Sequence, residues 1–300
     1  MTTDKKGIML TPGELSVVTV GTFDGVHRGH RAVLDEVRSI AEAEDLTPLA
    51  ITFDRHPLEV IAPHRAPDML TTIAERNERI QNAGVKPVIV SFTQDLRNTT
   101  AAGWMRRLHD DYGARVLVLG YDNTFGCDGL NLSTADYQAI GRNYGIRVLT
   151  APRLPGCSSS AARKAVADGR MEDAREILGY DYQIEGPVVH GHEIGRTIGI
   201  PTANISVEPG VGLPAQGVYA ADCRVGGRTL RAVVNVGPRP TVSSSGKWTV
   251  EAHLIGFTGE LYGEKVRVHF LKRLRDTRKF PDLNALRKQI ESDIAAALKL

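Results

Sequence analysis

The sequence predicts an α/β unit with a doubly wound parallel sheet, followed by an antiparallel β unit closed off by a helix. Three observations carry that expectation. Through residue 150, short apolar runs alternate with stretches of helical periodicity, as parallel strands with crossover helices require. From about Tyr182, strands follow one another through tight turns that leave no room for crossovers. Beyond Pro281, Leu283, Leu286, Ile290, Ile294 and Leu298 form an apolar stripe at helical spacing, so a terminal helix should pack on the β unit.

Residues 17–20, 49–53, 88–91, 116–119 and 146–149 are the five apolar runs, and they read as buried strands. After the first, Val33, Leu34, Val37 and Ile40 share one helical face, and 73–83, 101–109 and 133–144 read as further helices. Residues 151–160 hold Pro152, Pro155, Gly156 and three serines, which reads as a functional loop, and two short helices follow at 161–167 and 171–178. The first domain is expected to close near Tyr180, giving domains 1–180 and 181–300. In the second, 218–225 and 228–236 flank Gly226-Gly227, which supplies the positive φ angles of a two-residue hairpin. Residues 248–255 alternate, with Trp248, Val250, Ala252 and Leu254 on one face and Thr249, Glu251, His253 and Ile255 on the other. Residues 265–270 alternate too.

The length of 300 residues suits two domains, and 42% apolar with 24% charged residues is ordinary globular composition. A net charge of +2 argues against nucleic acid as the partner. No run reaches membrane-spanning length, and residues 1–9 are polar without an apolar signal core. Cys127, Cys157 and Cys223 are too scattered for a disulfide framework or a zinc pattern. The expectation is a soluble cytoplasmic protein that binds small molecules, without a membrane partner, as a monomer or weak homo-oligomer.

The first apolar run enters Gly21-Thr22-Phe23-Asp24-Gly25-Val26-His27-Arg28-Gly29-His30 and passes straight into a helix. A glycine-bearing turn opening a helix offers backbone N–H groups and the positive dipole end to a polyphosphate. His27 and His30, three apart, share a helix face and can donate to oxygens that gain charge in a transition state. The plainer alternative is a strand-to-helix turn whose histidines cap the helix. The G-x-G-x-x-G dinucleotide fingerprint is missing. A second glycine-rich run, Gly191-His192-Glu193-Ile194-Gly195-Arg196-Thr197-Ile198-Gly199-Ile200-Pro201-Thr202-Ala203-Asn204, has the wrong spacing for a P-loop and no lysine after Gly195. Thr202 and Asn204 offer uncharged oxygens suited to Mg²⁺ that arrives on nucleotide phosphates. Glu251, on the polar face of its strand, is the candidate general base. Its alternative is a cross-strand ion pair with Lys265 or Arg267.

Residues 21–30 resemble the HxGH signature of the nucleotidylyltransferase superfamily, in the form used by bacterial FAD synthetases. The resemblance extends to Phe53-Asp54-Arg55-His56-Pro57, Gly120-Tyr121-Asp122-Asn123-Thr124-Phe125-Gly126 and Ser158-Ser159-Ser160-Ala161-Ala162-Arg163. It implies that Gly21, Phe23, Asp24, Gly25, Gly29, Ser159 and Ser160 bind ATP, and that His27, His30 and Arg163 act on its phosphates. His56, Asp122, Asn123 and Phe125 are implied to face the flavin. The chain departs from the family pattern at Arg55, Thr124, Ser160, Ala161 and Ala162. The second run resembles the flap and Pro-Thr-Ala-Asn motif of riboflavin kinases. It implies a β-barrel with Gly191, Gly195, Arg196, Gly199 and Pro201 at ATP, Thr202 and Asn204 at Mg²⁺, Glu251 as base, and Arg275 and Arg278 closing over flavin. For the latter two, a solvated basic turn stays open.

The resemblance covers all but the first dozen residues. It implies a prokaryotic bifunctional riboflavin kinase/FMN adenylyltransferase, with ATP, riboflavin, FMN and FAD as substrates or products and Mg²⁺ as cofactor. Two rivals remain: a riboflavin kinase whose adenylyltransferase half has become a flavin-binding or regulatory module, and a nucleotidylyltransferase with another phosphorylated acceptor.

Overall fold

The structure is a computed structural model that describes residues 14–121, 124–191, 199–238 and 248–300. It divides into two compact units, 14–158 and 159–300 over those residues.

The first unit is a five-stranded parallel sheet in the order β3-β2-β1-β4-β5, built from β1 (Ser16–Val20), β2 (Thr47–Phe53), β3 (Lys86–Val90), β4 (Ala114–Leu119) and β5 (Arg147–Thr150). Its helices are α1 (Arg28–Glu44), α2 (Pro57–Ile61), α3 (Ile73–Asn82), α4 (Gln94–Arg97), α5 (Ala101–Tyr112) and α6 (Thr134–Arg142). Period-two alternation along β1 sends Val17 to one face, with Leu34, Val37, Ala41 and Ile80, and Val18 to the other, with Trp104, Met105 and Leu108. Both faces are thus covered, which is why the strands read as continuous apolar runs. All five predicted strands are present. The order reverses between β1 and β4, and ligands of open α/β sheets bind in the crevice at such a switch point, beyond the strand C-termini. The glycine-bearing turn leaves from there.

The second unit opens with α7 (Ser159–Ala167) and α8 (Met171–Leu178) and continues into a closed six-stranded barrel. The barrel order is β10-β7-β6-β11-β8-β9. Its strands are β6 (Gln183–Val189), β7 (Ala203–Ile205), β8 (Gly217–Val225), β9 (Arg228–Pro238), β10 (Trp248–Leu254) and β11 (Lys265–Arg275), every neighbouring pair antiparallel. Gly226 and Gly227 take φ of 54° and 74°, so the predicted hairpin is present with positive φ at both central residues. Phe270 fills the interior against Tyr182 and Tyr219. The compact units divide between Ser158 and Ser159, ahead of the expected division near Tyr180. The helices after the loop pack on the barrel: Glu172 of α8 pairs with Lys272 of β11 at 3.1 Å, and Gly169 sits where a side chain would meet the Tyr219 hydroxyl.

The terminal helix α9 (Leu283–Ala297) forms as expected and turns the middle of its apolar stripe, Leu286, Ile290 and Ile294, partly inward, but the buried face is shifted toward Asp293 and Ala297. Leu283 and Leu298 are exposed, while Asp293 and Ala297 are buried and Ile294 is half-buried against the barrel. The reason is an ion pair: Arg275 at the end of β11 donates from Nε and Nη2 to both Asp293 carboxylate oxygens at 2.8–3.1 Å. A bidentate pair of this kind sets the helix rotation more sharply than apolar contact does. Asp293→Ala should destabilise this unit by about 3 kcal/mol in urea unfolding, the low end for breaking a buried pair, because Arg275 stays in partial contact with solvent.

Candidate active sites

In the first unit the turn after β1 is strained and held from outside. Phe23 and Val26, both buried, have φ of 50° and 36°, beside Gly25 at 76°. Positive φ at non-glycine residues costs about 1–3 kcal/mol each and persists only where surroundings impose it. Asp24 supplies part of that. It is buried, and its Oδ1 accepts from the N–H groups of Leu70 (2.8 Å) and Thr71 (3.3 Å), while Gly25 N–H donates to Thr71 Oγ1. Asp24, expected at ATP, therefore staples the turn to residues 70–71. The rest comes from Arg76 on α3, fully buried, whose Nη1 donates to the Thr22 carbonyl at 3.0 Å and whose Nη2 donates to the Phe53 carbonyl. Arg76 is not legible from the sequence, because nothing local marks a helix arginine as buried.

His27 caps α1: its Nδ1 accepts from the His30 N–H at 3.3 Å, which puts the ring proton on Nε2. The capping alternative is thus realised for His27 without excluding the catalytic one. The two imidazoles stack at 3.7 Å and 19°, with Phe23 against His30 at 5.1 Å. His30 as a residue is half-buried, and its Nδ1 is enclosed and has no hydrogen-bond partner among the described residues. Burial, then His27 and Arg76, hold the His30 imidazole well below its ordinary 6.5. Gly29 lies in the first turn of α1, where N–H groups lack partners inside the helix; a Cβ there would press on the His27 ring at 3.1 Å. Gly21 sits under the Phe23 ring, 3.2 Å from where its Cβ would be.

The remaining residues of this half are placed unevenly. His56 caps α2, its Nδ1 accepting from Leu58 N–H at 3.1 Å in a capping box with Glu59. Phe125 belongs to the core, edge-on to Trp104 and bonded through its backbone to the Tyr137 hydroxyl, so it presents little surface to a ligand. Arg55, where the family pattern has proline, pairs with Asp54 at 3.3 Å. Asp122 and Asn123 lie outside the described residues. Ser159 opens α7, and Arg163 donates from Nη2 to Ser160 Oγ at 3.5 Å; both belong to the second compact unit. Ala162 is fully buried in α7.

In the barrel, register builds the second site. Glu251 on β10 lies directly opposite Asn204 on β7 and Asn235 on β9. Directly opposed residues project to the same face, so the three side chains form a row across three strands. Val250, Ala252 and Leu254 are buried while Thr249, Glu251 and His253 are half-buried, as the alternation predicts. The ion-pair alternative for Glu251 is corrected: β11 does not neighbour β10, and Lys265 and Arg267 pair with Glu185 on β6 at 3.8 and 2.8 Å. Asn235 enters the row only through the register of β9 with β10, which no local sequence pattern marks. His253 Nδ1 donates to the Pro201 carbonyl at 2.8 Å, tying the segment before β7 to the strand that carries Glu251. Gly191 packs so close to Asn204 that a Cβ would lie 2.0 Å from Nδ2. Gly199 takes φ of 75°. Gly195 and Arg196 lie outside the described residues.

The hydroxyl of Thr202 and the amide of Asn204 are hard, uncharged oxygen donors. That set fits Mg²⁺, which keeps several waters and takes charge compensation from phosphate. Arg275 donates to Asp293, and Arg278 lies over Phe280 at 5.0 Å and donates to Gln289 of α9.

Comparison with known proteins matches both halves. The FAD synthetase family profile covers residues 11–161, and the riboflavin kinase profile covers residues 178–300. The chain belongs to the bifunctional riboflavin kinase/FMN adenylyltransferase family. It is 34% identical to the bifunctional riboflavin kinase/FMN adenylyltransferase of Pseudomonas fluorescens over 289 residues, which cover 95% of this chain and 92% of that one. It is 35% identical to that of Escherichia coli K12, covering 94% and 91%, and 31% to that of Bacillus subtilis 168, covering 95% and 92%. A crystal structure described as a macrolide-efflux protein from Streptococcus pneumoniae superposes with a TM-score of 0.87 at 30% identity, covering 97% of this chain and 96% of that one. Among the described residues of the present family member, no helix is long and apolar enough to cross a membrane.

The depressed His30 value sets a pH dependence. The unfolded chain returns His30 to about 6.5, so below that pH it binds more protons than the folded state. The stability contributed by a neutral His30 is complete above about pH 6.5 and falls as pH drops through that value, by up to about 1.4 kcal/mol per unit. Urea unfolding followed through Trp104, with Trp248 replaced by Phe, should show this slope between about pH 7 and 5 and a shallower one in His30→Gln; equal slopes would assign the effect to another group.

Proposed function

We propose that the chain makes FAD from riboflavin in two steps, with residues 181–300 acting as riboflavin kinase and residues 1–180 as FMN adenylyltransferase. The observation that carries this reading is the row Asn204–Glu251–Asn235, which puts the one carboxylate of that row beside the Pro-Thr-Ala-Asn segment. In the kinase step, Glu251 accepts the proton of the riboflavin 5′-hydroxyl as its oxygen attacks the γ-phosphorus of ATP and ADP leaves. Thr202 and Asn204 would hold Mg²⁺ on the nucleotide, and the ion supplies charge neutralisation at the phosphates. His253 keeps Pro201, and with it this donor pair, in register with Glu251.

In the adenylyl step, the FMN phosphate oxygen attacks the α-phosphorus of a second ATP, and the bond to the β-phosphate bridging oxygen breaks to release pyrophosphate. No protein nucleophile is needed, because the FMN phosphate is already anionic. Hydrogen bonds from His27 Nε2, His30 and the first-turn N–H groups of α1 stabilise charge on the α-phosphate and leaving group. The reading keeps the protein in the cytoplasm, where its partners are ATP, riboflavin and FMN.

Two variants divide the activities. Glu251→Gln should lower FMN formation from riboflavin by at least about 100-fold, a common magnitude for a lost general base, and leave conversion of supplied FMN to FAD intact. His27→Ala with His30→Ala should do the reverse. Loss of both half-reactions in either folded variant would contradict the assignment of one site to each half.

A further inference from the structure

Arg76 is 1% exposed, and its two hydrogen bonds go to carbonyls at the ends of two strands, Thr22 after β1 and Phe53 in β2. Its Nε is also enclosed and has no partner among the described residues. No carboxylate within ion-pairing distance of it is found among those residues. The nearest that act on it, Asp24 and Asp54, do so through space, and each has an oxygen committed elsewhere: Asp24 to Leu70 and Thr71, Asp54 to the Phe92 N–H at 3.0 Å. A buried cation without an ion-pair partner is costly even when carbonyls accept its hydrogen bonds, and proteins rarely keep one unless something supplies the missing charge.

We propose that Arg76 is a positioning residue of the adenylyl-transfer site, holding the turn after β1 and the end of β2 together, and that the triphosphate of bound ATP is the counter-charge to its guanidinium. The proposal rests on the reading of this turn as an ATP site. Both segments that Arg76 ties lead into motifs of that site, residues 21–30 and residues 53–57. A second enclosed nitrogen without a partner, His30 Nδ1, belongs to the same turn. The charged or titratable groups acting on His30 are His27, from the turn itself, and Arg76, from α3. Arginine suits the position because its planar fork reaches two carbonyls in fixed directions; lysine would keep the charge and lose the fork.

The test compares Arg76→Met and Arg76→Lys in the full chain, with riboflavin phosphorylation as the internal control. In folded Arg76→Met, KM for ATP in the FMN-to-FAD step should rise at least about 10-fold while riboflavin phosphorylation stays at the wild-type rate. Arg76→Lys should restore KM to within about 3-fold of wild type and leave kcat reduced, because charge returns without the fork. A wild-type KM for ATP in Arg76→Met, or no recovery in Arg76→Lys, would overturn the proposal. If Arg76→Met does not fold, Arg76→Gln, which keeps a donor for one of the two carbonyls without the charge, takes its place: a KM for ATP raised at least about 10-fold in the FMN-to-FAD step supports the counter-charge role, and a wild-type KM overturns it. Wild-type protein that makes no FAD would refute the reading of the site itself. Inorganic tripolyphosphate, followed by NMR at His30 in wild type and Arg76→Met, then tests Arg76 alone, and equal affinities refute it.

Discussion

The carbonyls of Thr22 and Phe53 end the hydrogen-bonding of adjacent parallel strands, and one buried guanidinium holds both. The first site depends on that clasp. A turn that presents N–H groups to a phosphate cannot satisfy them within itself, so its shape must come from elsewhere. Arg76 supplies it from α3 and Asp24 supplies it through residues 70–71, and together they offset positive φ at Phe23 and Val26. Strain of this size collapses when its supports are removed, which makes the supports as necessary as the histidines they present.

The barrel meets the same requirement by register. Closure leaves no strand edge to slip, and a one-residue shift of β10 would turn Glu251 to the other face and bring Val250 or Ala252 opposite Asn204. The row of Asn204, Glu251 and Asn235 is therefore fixed by the hydrogen-bond ladders of three strands, not by a loop. His253, two residues from Glu251, extends the restraint to Pro201 and the donors that follow it. The Arg275–Asp293 pair anchors α9 against the same barrel.

How far the sequence revealed this depends on the range of the physics involved. The five strands were legible because burial on both faces writes a continuous apolar run, and the hairpin was legible because Gly226-Gly227 answers a local demand for positive φ. Glu251 could be assigned a face by parity but not a neighbour, since strand order is set by closure; the alternative of a pair with Lys265 or Arg267 stayed open for that reason. The stripe on α9 located the helix and its packing side through Leu286, Ile290 and Ile294 but not the buried Asp293 beside it, which looks like a surface residue until Arg275 arrives from another strand. Arg76 was invisible for the same reason. Phe125 shows the converse, a motif residue whose ring turned out to be core.

The central claim is that one chain performs two different transfers from ATP to one flavin. The most direct measurement incubates purified protein with riboflavin and Mg²⁺ and either γ-labelled or α-labelled ATP, then separates FMN and FAD by chromatography. The account predicts γ-label in both FMN and FAD, from the 5′-phosphate, and α-label in FAD alone, from the adenylyl group. Label confined to FMN, or FAD formed without α-label, would contradict it.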